Sequence, residues 1–269
     1  MIAMEAITGK VGPAGIVSGD HSGGTNTSHT IVVGALSLLL GAVPADSQAE
    51  TYERAAIDNN VLGKQTDGAR RRSFRYLKEL YLLRPNSLLF RALRDLWPND
   101  ADARPLLAGL CALARDSVFR ASFTAILRAL PGDMLTATDL ARAVAEHFPS
   151  SYNDSTLAKI GRNTFSSWEQ TGHLRHAGRT RKVRTRATCR PSAVAYALLL
   201  GHIEGVRGGA LFDTLWARAL DQPHSKLLDL AGDASQLGML ELRQAGGVVD
   251  VGFRELLRPL PHAAQGQLL

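Results

Sequence analysis

The residues with the clearest chemical potential form a cationic run between Arg175 and Arg190 that contains no acid. Its seven cations are Arg175, Arg179, Arg181, Lys182, Arg184, Arg186 and Arg190. Cations at this density repel one another unless an anion lies opposite them, and a phosphodiester backbone supplies such an anion. The run therefore predicts nucleic-acid binding through phosphates.

A helix-turn-helix pattern comes directly before this run. Thr136 or Thr138 can begin a first helix that continues to His147, and Ser155 can cap a second helix that stops at Gly172. The second helix of such a motif lies in the major groove and presents polar side chains to base edges. Its candidate DNA-binding residues are Ser155, Thr156, Lys159, Arg162 and Asn163. The amide of Asn163 is of the type that pairs with adenine, whereas the alternative is an ordinary solvated helix face.

The segment from Leu174 to Thr188 alternates around a turn at Gly178, as a two-stranded wing does. Arginines on a wing contact phosphate or enter the minor groove, and so contribute affinity more than sequence choice. The predicted wing contacts are Arg175, Arg179, Arg181, Lys182, Arg184 and Arg186.

A second basic patch precedes Pro85, on a helix whose apolar face includes Phe74 and Leu77. Its members are Arg70, Arg71, Arg72, Arg75 and Lys78. A basic helix face is usually just solvated, so this patch is a weaker candidate for contact with nucleic acid or with an acidic partner.

Catalytic and metal patterns are weak by comparison. His173, His176 and Cys189 could approach one another, but no fourth ligand is evident, and histidines in a basic wing more often contact phosphate or solvent. Gly-rich sequences around Ser22 and Lys64 depart from protease and phosphate-loop motifs at essential positions. We expect a binding protein that is not an enzyme and has no metal or cofactor.

The apolar periodicity along the chain predicts a mainly α fold. The predicted N-terminal helical bundle is followed by two winged-helix-like units, each a helix-turn-helix plus a β-hairpin. Ser47 and Glu50 have the spacing of a capping box at one bundle helix. The predicted divisions are a flexible Gly-rich arm (1–30), the bundle (31–131), a basic winged-helix DNA-binding domain (132–192) and a second winged-helix-like domain (193–269). The second hairpin carries Arg243 against Glu241 and Asp250, which favours packing or protein contact.

Charge and cysteine usage agree with a polyanion-binding protein of a reducing compartment. The formal net charge is +6, and Cys111 and Cys189 are too few for a disulfide framework. The apolar run Ile31 to Val43 is shorter than the roughly 20 residues that cross a bilayer. We expect a soluble, cytoplasmic protein without membrane contact.

Three segments together resemble the BrxA proteins of bacterial BREX phage-defence systems. They are IDNNVLGKQTDGARRRSFRYLKELYLL, RDSVFRASFTAILRALPGDMLTATDLARAVAEHF and NDSTLAKIGRNTFSSWEQTGHL, in that order. The likeness covers about Ile31 to Leu174. The chain departs from the family pattern in its Gly-rich start and in the plain apolar run that follows.

The resemblance implies a small, helical, non-enzymatic DNA-binding component that acts beside a methyltransferase, an ATPase and other BREX subunits. Double-stranded DNA is the expected partner, and RNA stays open because an earlier description of the family likened it to an RNA-binding fold. Two alternatives remain at this point. The protein could be an interaction scaffold that docks acidic partner subunits, or a transcriptional regulator.

Overall fold

The structure is a computed structural model that describes residues 14–17 and 23–259. It confirms the mainly α prediction. The helices of the first half are α1 (Val33–Ala42), α2 (Ala49–Ile57), α3 (Asp67–Tyr81), α4 (Leu88–Leu96), α5 (Arg104–Arg115) and α6 (Ser117–Arg128). The elements that follow are β1 (Met134–Leu135), α7 (Ala137–His147), α8 (Asp154–Gln170), β2 (Leu174–His176) and β3 (Lys182–Arg184). The last elements are α9 (Pro191–Ile203), α10 (Leu215–Arg218), α11 (His224–Gln236), β4 (Glu241–Ala245) and β5 (Val248–Gly252).

Local sequence explains most helix starts. Asp116 separates α5 from α6 and accepts a hydrogen bond from the Phe119 N–H at 2.9 Å, which is an N-cap. Thr136 and Asp139 form the capping box of α7, as the sequence predicts for Thr136. The predicted Ser47 capping box is wrong, because α2 begins after Gln48 and no side chain caps it.

The region from α6 to β3 has the connectivity of a winged helix. The helices α6, α7 and α8 pack on one another, and the three short strands form an antiparallel sheet in the order β1-β3-β2. We call β2, β3 and the turn between them the wing (residues 174–184). A small apolar cluster that includes Val118, Val144 and Ile160 lies under α6, α7 and α8. The predicted helix-turn-helix and hairpin are therefore present.

Up to residue 259, the last elements repeat this plan without a third strand. The helices α9, α10 and α11 precede the antiparallel β4–β5 hairpin, which turns through Gly246 and Gly247 at φ values of 56° and 81°. The hairpin places Arg243 directly opposite Asp250. This arrangement agrees with the predicted second winged-helix-like unit.

One apolar core runs through all of these units. The buried helix α9 packs on α4 and α5 of the bundle and on α10 and α11 of the last unit. The larger cluster of buried side chains extends from Ile16 to Leu256, and the small cluster under α6, α7 and α8 is separate from it. Elements of all three predicted folded units contribute to the larger cluster. None of the helices in the described part of the chain is long and apolar enough to cross a bilayer.

The polar residues 23–30, which we call the strap, are packed against the bundle. Asn26 is 0% exposed, and its side-chain amide donates to the Asp116 carboxylate at 3.0 Å. Gly24 is required there, because a Cβ atom would lie 2.3 Å from the Asp116 Oδ1 atom. For residues 14–17 and 23–30, the prediction of a flexible arm is wrong. The remainder of the predicted arm lies outside the described residues.

Candidate nucleic-acid interface

The helix α8 starts differently from the prediction. Its N-cap is Asn153, whose side-chain oxygen accepts from the Thr156 N–H at 2.9 Å. The Ser155 hydroxyl donates to the same oxygen at 2.8 Å, so Ser155 supports the cap instead of forming it. An acid, Asp154, consequently occupies the first turn, which complements the positive end of the helix dipole.

The solvent-facing stripe of α8 carries Ser155, Lys159 and Arg162 at spacings of one helical turn each. All three are exposed, and Thr156 beside them is half-buried. Within residues 14–17 and 23–259, Lys159 and Arg162 form no ion pair, so both charges are available to an external anion. These residues are the part of the predicted recognition helix that the structure leaves open.

Asn163 has a different role from the predicted one. Its side-chain amide donates to the Asn26 carbonyl at 3.0 Å, which ties α8 to the strap. One turn further on, the Ser167 hydroxyl donates to the Asn26 side-chain oxygen at 2.7 Å. The predicted contact of Asn163 with adenine would require this hydrogen bond to break, so we remove Asn163 from the candidate interface.

Close packing against α7 fixes the orientation of α8. A Cβ atom at Gly161 would lie 2.3 Å from the Ala137 carbonyl oxygen and 2.9 Å from the Ala141 Cβ atom. Only glycine allows the two helix backbones to approach this closely. Such a contact leaves α8 little freedom to shift relative to α7.

The wing presents exposed arginines at its tip and along its outer strand, and one more follows the wing. Arg175, Arg179 and Arg181 on the wing, and Arg186 just after it, are all exposed. The turn is closed by a hydrogen bond of 3.1 Å from the Ala177 N–H to the Arg181 carbonyl, with Gly178 at φ 120°. None of these four arginines forms an ion pair with a described residue. They are the predicted wing contacts that remain available for phosphate.

Lys182 is buried under the wing, which corrects its predicted contact with DNA. Only 5% of the residue is exposed, and its ammonium lies 2.9 Å from the Glu169 carboxylate of α8. The ammonium also donates to the Phe165 carbonyl at 3.0 Å. Because Lys182 and Arg184 alternate with Val183 on β3, both cations point inward together.

The predicted contact of Arg184 with DNA is also wrong, because Arg184 is buried. It is 4% exposed and lies 2.9 Å from the carboxylate of Asp221, which follows α10. The Arg184 guanidinium also donates to the Ile126 and Thr185 carbonyls. Its charge is thus satisfied inside the molecule, where it joins β3 to the last unit.

Arg190, the last cation of the run, is partly neutralised as well. Its guanidinium lies 2.6 Å from Asp102 and 3.3 Å from Asp100, both near the start of α5. The basic sequence therefore divides into an exposed set and a set with internal acidic partners. Composition alone does not distinguish the two sets, since their partners are distant in sequence.

The basic patch of α3 is also divided. Arg70 is half-buried and donates to the Ile57 carbonyl at 3.2 Å, and Arg71 pairs with Asp67 at 2.7 Å. Arg75 is exposed and lies 3.8 Å from Glu79. Arg72 and Lys78 are exposed and form no ion pair with a described residue.

The three residues considered for metal binding do not form a site. His173 is buried, with its ring nitrogens against the Thr171 hydroxyl at 2.7 Å and the Ala219 carbonyl at 3.0 Å. Burial and the nearby Arg184 lower the pKa of His173 to about 3, and burial raises the pKa of Cys189 to about 12. In the described part of the chain, no group of three His, Cys, Asp or Glu side chains could hold a metal ion.

Five residues that hold the candidate interface in place were not predicted from the sequence: Asn26, Asp116, Asn153, Glu169 and Asp221. Asn153 and Asp116 had a usable signal, because Asn and Asp are favoured N-caps just before a helical pattern. Asn26, Glu169 and Asp221 act through partners far along the chain, and local patterns do not report such pairings.

Comparison with known proteins shows the fold alone. No protein-family model and no curated protein matches the chain. The crystal structure of magnesium-ion-bound SspB is similar, with a TM-score of 0.54 and 14% sequence identity, over 89% of this chain and 85% of that one. The overall helical architecture is therefore shared with a solved protein, while the family of this chain is not shown.

Proposed function

We propose that this protein is a non-enzymatic component of a BREX-type phage-defence system that binds double-stranded DNA through α8 and the wing. The observation that carries the proposal is the set of exposed cations on both elements that form no ion pair with a described residue. Lys159 and Arg162 lie on the outer face of α8, and Arg175, Arg179 and Arg181 lie on the wing. A helix for the major groove and a cationic hairpin for the flanking backbone suit a duplex.

The helix α8 and the wing have different roles in binding. The wing arginines contact phosphates and supply affinity that does not depend on sequence. Arg162 and Lys159 are the cationic side chains on α8 able to donate to guanine in the major groove. With Asn163 held by the strap, α8 offers few groups for base recognition, so we expect modest sequence preference.

Placement in a phage-defence system rests on the resemblance of the three quoted segments to BrxA. The partners implied are a methyltransferase and an ATPase of the same system. The similarity to SspB supports the helical architecture on which the DNA-binding surface is built.

The proposal is tested by measuring duplex affinity over a range of salt concentrations. A surface that displaces counterions from several phosphates loses affinity steeply between about 50 and 200 mM salt, with a log–log slope of roughly 0.9 per phosphate contact. In the variant R179Q/R181Q, we expect the slope to fall by about 1.8 if both arginines contact phosphate. The matched control is K226Q/R243Q, which removes two exposed cations from the last unit and should leave the slope unchanged.

The outcomes separate the alternatives. A scaffold that docks an acidic subunit would bind no duplex even at low salt. A transcriptional regulator would bind one sequence roughly a thousandfold or more tightly than unrelated DNA. Stronger binding to RNA than to duplex DNA of the same sequence would replace the proposed substrate.

A further inference from the structure

The strap connects two basic surfaces that are far apart in sequence. On one side it contacts α8, where Asn163 and Ser167 both hydrogen-bond to Asn26. Asn163 lies one turn after Lys159, so the strap borders the exposed stripe of α8 directly. The wing lies on the opposite border, where Glu169 receives Lys182.

On its other side the strap contacts α3. The His29 ring lies 4.3 Å from the Tyr76 ring, between centroids, and the Thr25 hydroxyl donates to the Glu79 carboxylate at 3.3 Å. Thr25, which contacts α3, and Asn26, which contacts α8, are consecutive residues of a short 3₁₀ turn (Thr25–Thr27). The α3 and α8 contacts of the strap therefore begin at neighbouring residues.

The residues of α3 next to this contact are cations. The Arg75 guanidinium lies over the Tyr76 ring, 5.3 Å from its centroid, and Arg72 lies one turn before Tyr76. Both are exposed. Arg72 has no ion-pair partner in the described residues, while Arg75 has only the long 3.8 Å contact with Glu79, an acid that already accepts from Thr25.

The strap itself carries no acidic, lysine or arginine side chain, and Glu79 is the acid at its border with α3. Its sequence is GGTNTSHT, and Ser28 is exposed on it. A phosphate backbone that crosses the strap from α8 would meet hydroxyl groups and then the α3 arginines, without an intervening repulsive patch on the strap.

We infer that α3 provides a second phosphate-contacting surface, through Arg72 and Arg75, continuous with α8 and the wing across the strap. The inference rests on the proposed function, because it names a further part of the same duplex-binding surface. The duplex then lies over α8, with the wing against one flank and α3 against the other. The α3 patch contributes affinity, since arginines that reach only phosphate carry no direct sequence information.

The test compares the salt dependence of duplex binding between the wild type and R72Q/R75Q. Two lost phosphate contacts lower the log–log slope by about 1.8. Glutamine keeps good helix propensity, and both side chains are exposed, so the fold is expected to persist and thermal unfolding verifies it. In R72K/R75K, which retains both charges, most of the slope should return. The matched control is again K226Q/R243Q.

The results distinguish this inference from the proposed function. A slope for R72Q/R75Q equal to that of the wild type, while R179Q/R181Q still lowers the slope, overturns the role of α3 and leaves DNA binding by α8 and the wing intact. Absence of duplex binding by the wild-type protein overturns both. If K226Q/R243Q lowers the log–log slope as much as R72Q/R75Q does, the effect is one of overall charge, and the assignment to α3 is also overturned.

Discussion

Arg184 and Asp221 form an ion pair of 2.9 Å at the base of the wing, and only 4% and 21% of their side chains are exposed. The pair joins β3 to the loop after α10. A cation from the most basic segment of the chain thus stabilises the fold rather than facing a ligand. The same segment contains Arg179, exposed at the wing tip, and this contrast allows structure and binding to be tested separately.

Replacement of Arg184 by glutamine should lower the free energy of unfolding by about 3 kcal/mol, because the partly buried Asp221 carboxylate loses its partner. Urea unfolding measures this as a lower midpoint with an unchanged slope. The variant R179Q should stay within about 0.5 kcal/mol of the wild type, since it removes an exposed side chain. Equal stability of the two variants would contradict the structural role of Arg184.

Replacement of Asn163 by alanine should cost about 1 kcal/mol of stability, the usual net contribution of one hydrogen bond, because the Asn26 carbonyl loses its donor. Selection of bound sequences from a random duplex pool should give the same preference for N163A as for the wild type. A lost preference for adenine at one position would show instead that Asn163 contacts bases.

The buried His173 should make the protein less stable in acid. Its pKa is lowered to about 3 by burial and by Arg184, whereas an unfolded histidine titrates near 6.5. Between these values the unfolded state binds more protons, so stability is full above about pH 6.5 and falls as the pH decreases toward 3, by up to about 1.4 kcal/mol per unit. The measurement is unfolding free energy against pH.

The matched variants for this pH dependence are H173Q and H224Q. H173Q should reduce the decrease in unfolding free energy that occurs as the pH falls. It also lowers stability at neutral pH, because the contacts with Thr171 and Ala219 change. The second replaces an exposed histidine and should leave the slope as it is. An unaltered slope in H173Q would exclude His173 as the source of the acid sensitivity.

Replacement of Gly161 by alanine should destabilise the protein by roughly 1–3 kcal/mol, since the new Cβ atom forces α7 and α8 apart. Duplex affinity should fall with it, because α8 moves relative to the wing. In the control G41A, on α1, nothing lies within 4 Å of the new atom, so stability should be equal or slightly higher. Calorimetry measures the stability of both variants, and duplex titration measures their affinity. Equal stability of G161A and G41A would contradict close packing at Gly161.

Sequence patterns predict the elements of this protein well, because periodicity, caps and turn residues act locally. The start of a helix at Thr136 and the hairpin turn at Gly178 both follow from short-range chemistry, because threonine is a favoured N-cap and glycine adopts the positive φ of the turn. The same local rules place the start of α8 to within two residues, because they assign its cap to Ser155 instead of Asn153.

The candidate surface is only partly predictable for a physical reason. Whether an arginine faces solvent depends on acids that folding brings near it, and Glu169 and Asp221 are not neighbours of Lys182 and Arg184 in the sequence. For the strap, the sequence pattern predicts flexibility where the structure shows packing. Glycines and small polar residues are typical of a loose segment. The buried Asp116 carboxylate needs hydrogen-bond donors, however, and Asn26 provides them.

The attachment of α8 on both borders has a mechanical consequence. Asn26 holds one side of the helix, Lys182 holds the other through Glu169, and Gly161 seats it against α7. A surface fixed in this way is preorganised, so α8 cannot change its position to fit a ligand. If the protein binds duplex DNA as proposed, the curvature and groove width that the fit requires must come from the DNA, so stiff and pliable duplexes of identical charge should differ in affinity.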